Sequence, residues 1–85
     1  MTYTNYRTFH YNTDNKKWER TDRGTEPKDK LALFAEMLKA VANDNNLVFE
    51  HMADYSNDKA EDEVAYVLYF HFADTLDQYC FEILK

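Results

Sequence analysis

Along "EDEVAYVLYFHF", residues 61–72, polar positions give way to a stretch that would be apolar on both faces of a strand. Val64, Tyr66, Leu68, Phe70 and Phe72 point one way, and Ala65, Val67, Tyr69 and His71 the other. The acids Glu61, Asp62 and Glu63 stand directly in front. Upstream, residues 2–11 alternate loosely around Tyr6, Phe9 and Tyr11, and the turn formers "NTDN" and the stretch "KKWERTDR" follow. Residues 2–23 therefore read as a β-hairpin whose second strand is polar enough to be an edge.

"GTEPKDK" reads as a helix start, with Thr25 or Glu26 as cap and Pro27 in the first turn. Leu31, Phe34, Ala35, Leu38, Val41 and Ala42 then recur at offsets of three and four, and "NDNN" at 43–46 stops the helix. Leu33, Met37 and Ala40 form a second stripe, expected to face outward. It reads either as good helix formers with no further role or as a contact for another chain. Residues 47–55 fit a strand or a helix, and their setting favours a strand. "SNDKAEDE" reads as a solvated loop, "ADTLDQ" as a turn, and "YCFEILK" as a last strand with Tyr79, Phe81 and Ile83 on one face.

The order is β-β-α-β-β-β: an α+β fold, an antiparallel sheet of four or five strands with one amphipathic helix on one face, in a single domain over residues 1–85. One helix covers one sheet face. Tyr66, Leu68, Phe70 and Phe72 are expected beneath it. Val67 and Tyr69 then need another cover: the N-terminal hairpin, a second copy or a foreign partner.

Composition narrows this further. With 45% hydrophobic residues and 16% aromatics, a small core can be filled, each ring burying roughly 150–250 Å². A lone Cys80 excludes an internal disulfide framework, and the N-terminus lacks the pattern of a signal peptide. No apolar run approaches the ~20 residues that span a bilayer. A cytoplasmic, soluble chain with no membrane partner is the expectation.

The net charge of −6 is unevenly placed. Residues 1–30 carry seven Lys/Arg against five Asp/Glu, and residues 31–85 carry three against eleven. That balance works against ordinary nucleic-acid binding, which needs a basic footprint.

Candidate chemistry thins out quickly. One glycine cannot build a phosphate loop, and Ser56 lacks a nucleophile elbow. Cys80 alternates into an apolar strand and reads as core. His51 with Asp54, and His71 with Asp74, would point to opposite faces of a strand, so no metal site converges. No catalytic, cofactor or metal residues are assigned, and no family signature is legible.

What remains is binding. Asp54, Asp58, Glu61, Asp62, Glu63, Asp74 and Asp77 fall at strand ends or turns and are expected to gather at the sheet rim. They read either as a solvating loop or as a docking surface for a basic protein. Leu33, Met37, Val67 and Tyr69 are the expected partner or homodimer contacts. The leading expectation is a small acidic non-enzymatic binding protein, an inhibitor or nucleic-acid mimic at a basic site of a nucleic-acid-handling protein, of the phage or mobile-element accessory type. The alternatives are a single-stranded nucleic-acid module, using the aromatics of "YTNYRTFHY" with Arg7, Lys16, Lys17, Arg20 and Arg23, and a small enzyme or ligand carrier.

Overall fold

Strand formers with period-two patterning, interrupted once by a helical repeat, give five strands and one helix in the computed structural model, which describes residues 2–43 and 46–85. The order is β1 (Thr4–Asn12), β2 (Lys17–Glu26), α1 (Lys30–Ala42), β3 (Leu47–Asp54), β4 (Val64–Phe72) and β5 (Gln78–Leu84). All pairings are antiparallel, and the sheet runs β2-β1-β5-β4-β3. The α+β reading with one helix on one sheet holds. The hairpin does not fold over the sheet; it extends it, because β1 pairs with β5 as well as β2.

Two boundaries differ from the sequence expectation. Strand β2 continues through Thr25 and Glu26, where Glu26 pairs with Thr4 and the Thr25 hydroxyl donates to Asn5 Oδ1 at 2.6 Å. Gly24 is tolerated there because the Tyr6 ring lies across it, its hydroxyl 2.6 Å from where a Cβ would stand. The helix cap is Asp29, whose carboxylate accepts the Ala32 N–H at 2.8 Å, so Pro27 precedes the helix. Such a cap is worth about 1 kcal/mol. The Thr4 hydroxyl donates to Lys28 O at 2.6 Å and ties this lead-in to β1. Asn43 ends the helix with its N–H on Ala40 O, while Asp44 and Asn45 of the expected stop lie outside the described residues.

The helix is rotated from the expected phase. Leu33 (4% exposed) and Val41 are buried, with Phe34, Met37 and Leu38 packed beside them, while Leu31 is 70% exposed. Positions 33, 34, 37, 38 and 41 form the inward stripe, and Ala35 and Ala42 lie outside it. Leu33 and Met37 are thus core-packing residues, and the expectation that they meet another chain is corrected. They sit on Leu68, Phe70, Phe81 and Ile83, with Tyr6 stacked on Phe81 at 5.0 Å.

Candidate binding surface

Strict alternation puts Arg7, Phe9 and Tyr11 of β1 on the face turned from the helix, because their partners in β5 are Glu82, Cys80 and Gln78. The same register places Val67, Tyr69 and His71 of β4 there. Strand β2 adds Trp18 opposite Tyr11, Arg20 opposite Phe9, and Arg23 opposite Arg7. Its acids Glu19, Asp22 and Glu26 pair with the helix-side residues His10, Thr8 and Thr4. The hairpin thereby sorts its charge by face, arginines on the open side and carboxylates on the other.

Among the described residues, no helix or strand covers this open face. Val64, Val67 and Cys80 are nevertheless buried, sealed by their neighbours Phe9, Ala53, Tyr55, Tyr69 and Leu84. A groove of about 380 Å³ runs between the loop after β3 and the sheet, lined by Tyr55, Asp58, Glu61, Val64, Val67, Tyr69 and Glu82. A second hollow of about 300 Å³ continues it over Val67, Tyr69 and Glu82 to Phe9, Cys80 and Trp18. Trp18 is 44% exposed, its ring 5.3 Å from that of Tyr11. The surface therefore passes from an acidic wall, over an apolar floor, to an aromatic end.

Arg7 organises the middle. Its guanidinium donates to Glu82 on β5 and to Glu63 of the loop at 3.2 Å, and lies 5.9 Å from the Phe9 ring centre. Arg20 and Arg23 stand beside it along a separate hollow that also touches Asn5 and Thr25. No ion pair links either of them to an acid among the described residues.

The acidic loop has a shape of its own. Asp54 accepts both the Ser56 N–H at 2.9 Å and the Ser56 hydroxyl at 2.6 Å, and Asp58 accepts the Ala60 N–H at 2.9 Å. Glu61 accepts the N–H groups of Glu63 and Val64, at 2.9 and 3.0 Å. The Lys85 ammonium donates to the carbonyls of Asp58 and Glu61 and clips the loop to the end of β5. These bonds lower the pKa of Asp54, chiefly through the Ser56 hydroxyl, and of Glu61, chiefly through the Val64 N–H. Both therefore stay ionised further into acid than free carboxylates.

The expected acidic rim is split. Asp54, Asp58, Glu61, Asp62 and Glu63 gather at one end of β4, but Asp74 and Asp77 lie in the turn beyond its other end, about 30 Å away along nine strand residues. Asp77 has a separate task. Its carboxylate accepts the Thr13 N–H and hydroxyl at 3.1 and 2.8 Å and meets His10 Nε2 at 2.8 Å, joining the β1–β2 and β4–β5 turns. The Thr13 amide first, and then the His10 and Thr13 side chains, pull its pKa down to about 2. Tyr69 does line the open face as expected, but Val67, at 4% exposed, is floor rather than a protruding contact.

Burial pushes the Cys80 thiol up to about 12, so at neutral pH it is a protonated core side chain rather than a nucleophile. The Ser56 hydroxyl is spent on Asp54. His51 stacks on Tyr69 at 4.6 Å, and His71 Nδ1 meets Glu50 at 2.8 Å. No group of three or more His, Cys, Asp or Glu residues converges on a metal position among the described residues. A further hollow, between the helix and the hairpin, is walled by Asp22, Glu26 and Glu36, and the last of these carboxylates is bonded to Lys28. No helix among the described residues is long and apolar enough to cross a membrane.

Tyr55, Glu82 and Phe9 escaped the sequence reading as site residues. Glu82 carried a signal: it breaks the apolar run "YCFEIL" at a position that alternation places with Cys80 and Leu84. Comparisons of the chain with family models, with curated proteins and with solved structures each give no match.

Proposed function

We propose that this chain is a non-enzymatic binding protein that seats a basic protein surface against its acidic loop and open groove, as an inhibitor or nucleic-acid mimic does at the basic site of a nucleic-acid-handling protein. The observation that carries the reading is the junction of loop and groove: Asp58 and Glu61 form one wall of a hollow whose floor is Val64, Val67 and Tyr69. An arginine or lysine from a partner can lay its aliphatic stem on that floor and its charge against the carboxylates. The loop's own turn bonds hold it in one shape before binding, which lowers the ordering cost of association. An intracellular setting belongs to this proposal, because a basic nucleic-acid-handling partner is found there.

Affinity capture from the native cell, followed by association kinetics with the captured protein, tests it. Asp58→Asn, Glu61→Gln, Asp62→Asn and Glu63→Gln together keep one acceptor oxygen at each position while removing four charges. The combined variant is expected to associate more slowly, with a deficit that shrinks as salt rises. An unchanged association rate in low salt overturns the reading.

One observation favours a second reading. Arg7, Arg20 and Arg23 share the open side of the hairpin with Phe9, Tyr11 and Trp18, a combination that also suits stacking of single-stranded nucleic acid. Titration with a single-stranded oligonucleotide separates the two. Binding that Arg20→Ala plus Arg23→Ala abolishes, and that the four-site acid variant strengthens, belongs to the second reading.

A further inference from the structure

The two outer strands of the sheet are guarded very differently. Strand β2 carries Lys17, Glu19, Arg20, Asp22 and Arg23, the charged armour by which edge strands avoid pairing. Strand β3, "LVFEHMAD", carries only Glu50 and Asp54, and leaves Val48 (41%), Phe49 (39%) and Met52 (36%) exposed. We propose that β3 is a homodimer edge, pairing antiparallel with β3 of a second copy about a two-fold axis midway between the Glu50–His51 peptides of the two copies, so that two five-stranded sheets become one.

The backbone fixes this register. Asn46 O accepts the Ala73 N–H at 2.8 Å, and the Tyr55 N–H donates to Ala65 O at 2.7 Å, so both ends of β3 are phased against β4. Antiparallel alternation inward from those ends, with one extra residue inserted between Phe49 and His51, turns the amide edges of Leu47, Phe49, Met52 and Asp54 outward. About the proposed axis these outward residues meet one another: Phe49 faces Met52 of the second copy, and Leu47 faces its Asp54.

The side chains agree with the backbone. In a regular strand, residues 49 and 52 lie on opposite faces, and a two-fold pairing about the 50–51 peptide fails. The bulge at Glu50 puts Phe49 and Met52 together on the helix side, opposite Phe70 and Leu68, and Val48 and Ala53 together on the open side. Each copy thus sets a Phe ring against a thioether, a favourable pair, and Val48 against Ala53. Glu50 uses one oxygen on His71 and keeps the other for the His51 ring of the second copy, on both sides of the axis. A foreign strand would have to supply that same sequence to match; a second copy supplies it by symmetry.

Sedimentation equilibrium of the full chain, with amide exchange followed residue by residue, tests this. The expected result is a two-chain mass at high micromolar concentration and a concentration-dependent slowing of exchange at Phe49 and Met52. Met52→Lys should weaken the dimer about tenfold or more by placing a cation against the Phe49 ring edge and its apolar surroundings. Met52→Pro should remove the dimer while leaving the β3–β4 ladder intact, since that amide points outward. Glu50→Lys should weaken it, and adding His51→Glu should restore it. A single-chain mass at every concentration overturns the proposal, as does a dimer that neither Met52 variant disturbs or whose protection falls on β2.

Discussion

On the helix side of β4, Leu68 and Phe70 are sealed under Leu33, Phe34 and Leu38, and with Ile83 they are the most completely buried large side chains of the sheet. On the other side of the same strand, Val67 and Tyr69 belong to a smaller cluster flanked by the loop from Tyr55. Both faces have an apolar content, but among the described residues only one has a helix to cover it. The helix face spends its side chains on stability. The open face keeps an aromatic end, an apolar floor and a charged wall accessible, and these are the features on which the proposed binding rests.

Truncating the covered side should have the largest effect. Phe70→Ala is expected to cost about 3–5 kcal/mol, whereas Trp18→Ala on the open face should cost about 1 kcal/mol or less. Denaturant midpoints measured side by side check the difference, and equal losses would break the distinction between the faces. The helix phase gives a matched pair of the same residue type. Leu33→Ala should cost about 2–5 kcal/mol and Leu31→Ala within about 0.5, and a reversal of the two would restore the phase read from the sequence.

Gly24→Ala probes the hairpin, where the Tyr6 ring is held between Gly24 and Phe81. A Cβ there must displace a stacked ring rather than a free side-chain end, with an expected cost of about 1–3 kcal/mol in thermal or chemical unfolding. A neutral result would show that the ring can leave Phe81 freely.

A smaller effect depends on pH. Because the folded pKa of Asp77 is depressed to about 2, its contribution is fully present above the ordinary carboxylate range near 4 and is lost as pH falls toward 2. Asp77→Asn should lower stability at neutral pH and flatten its pH dependence between those values. Identical acid-unfolding curves for the two proteins would remove the turn-joining role from Asp77.

Much of this architecture was legible in the sequence, for identifiable reasons. The alternation in residues 66–72 and 79–84 has one reading, and it located both faces of the central strands, whereas a bulge between Val64 and Tyr66 turns Val64 to the open face with Val67, against the alternation. The helix was legible as an element but not in phase. The expected stripe and the observed one share Phe34, Leu38 and Val41, so the phase turns on whether Leu31 or the pair Leu33 and Met37 joins them, with alanines too small to decide it. Strand β2 is longer than its sequence suggests because "GTEPKDK" reads as a helix start, whereas Thr25 and Glu26 pair with Asn5 and Thr4. The acids were the least legible. A carboxylate that caps its own turn, such as Asp54 or Glu61, is written with the same letter as one facing solvent, and the split between the two ends of β4 needs the topology.

The proposed function requires the open face and the adjoining acidic loop, and not the helix side, to receive a partner. Mapping amide chemical shifts while an arginine- and lysine-rich peptide is added tests this most directly. Salt-sensitive shifts are expected to concentrate at Tyr55, Asp58, Glu61, Val67, Tyr69 and Glu82, with Leu33, Glu36 and Met37 unmoved. Shifts centred on the cleft between helix and hairpin, or none at all in low salt, would contradict it.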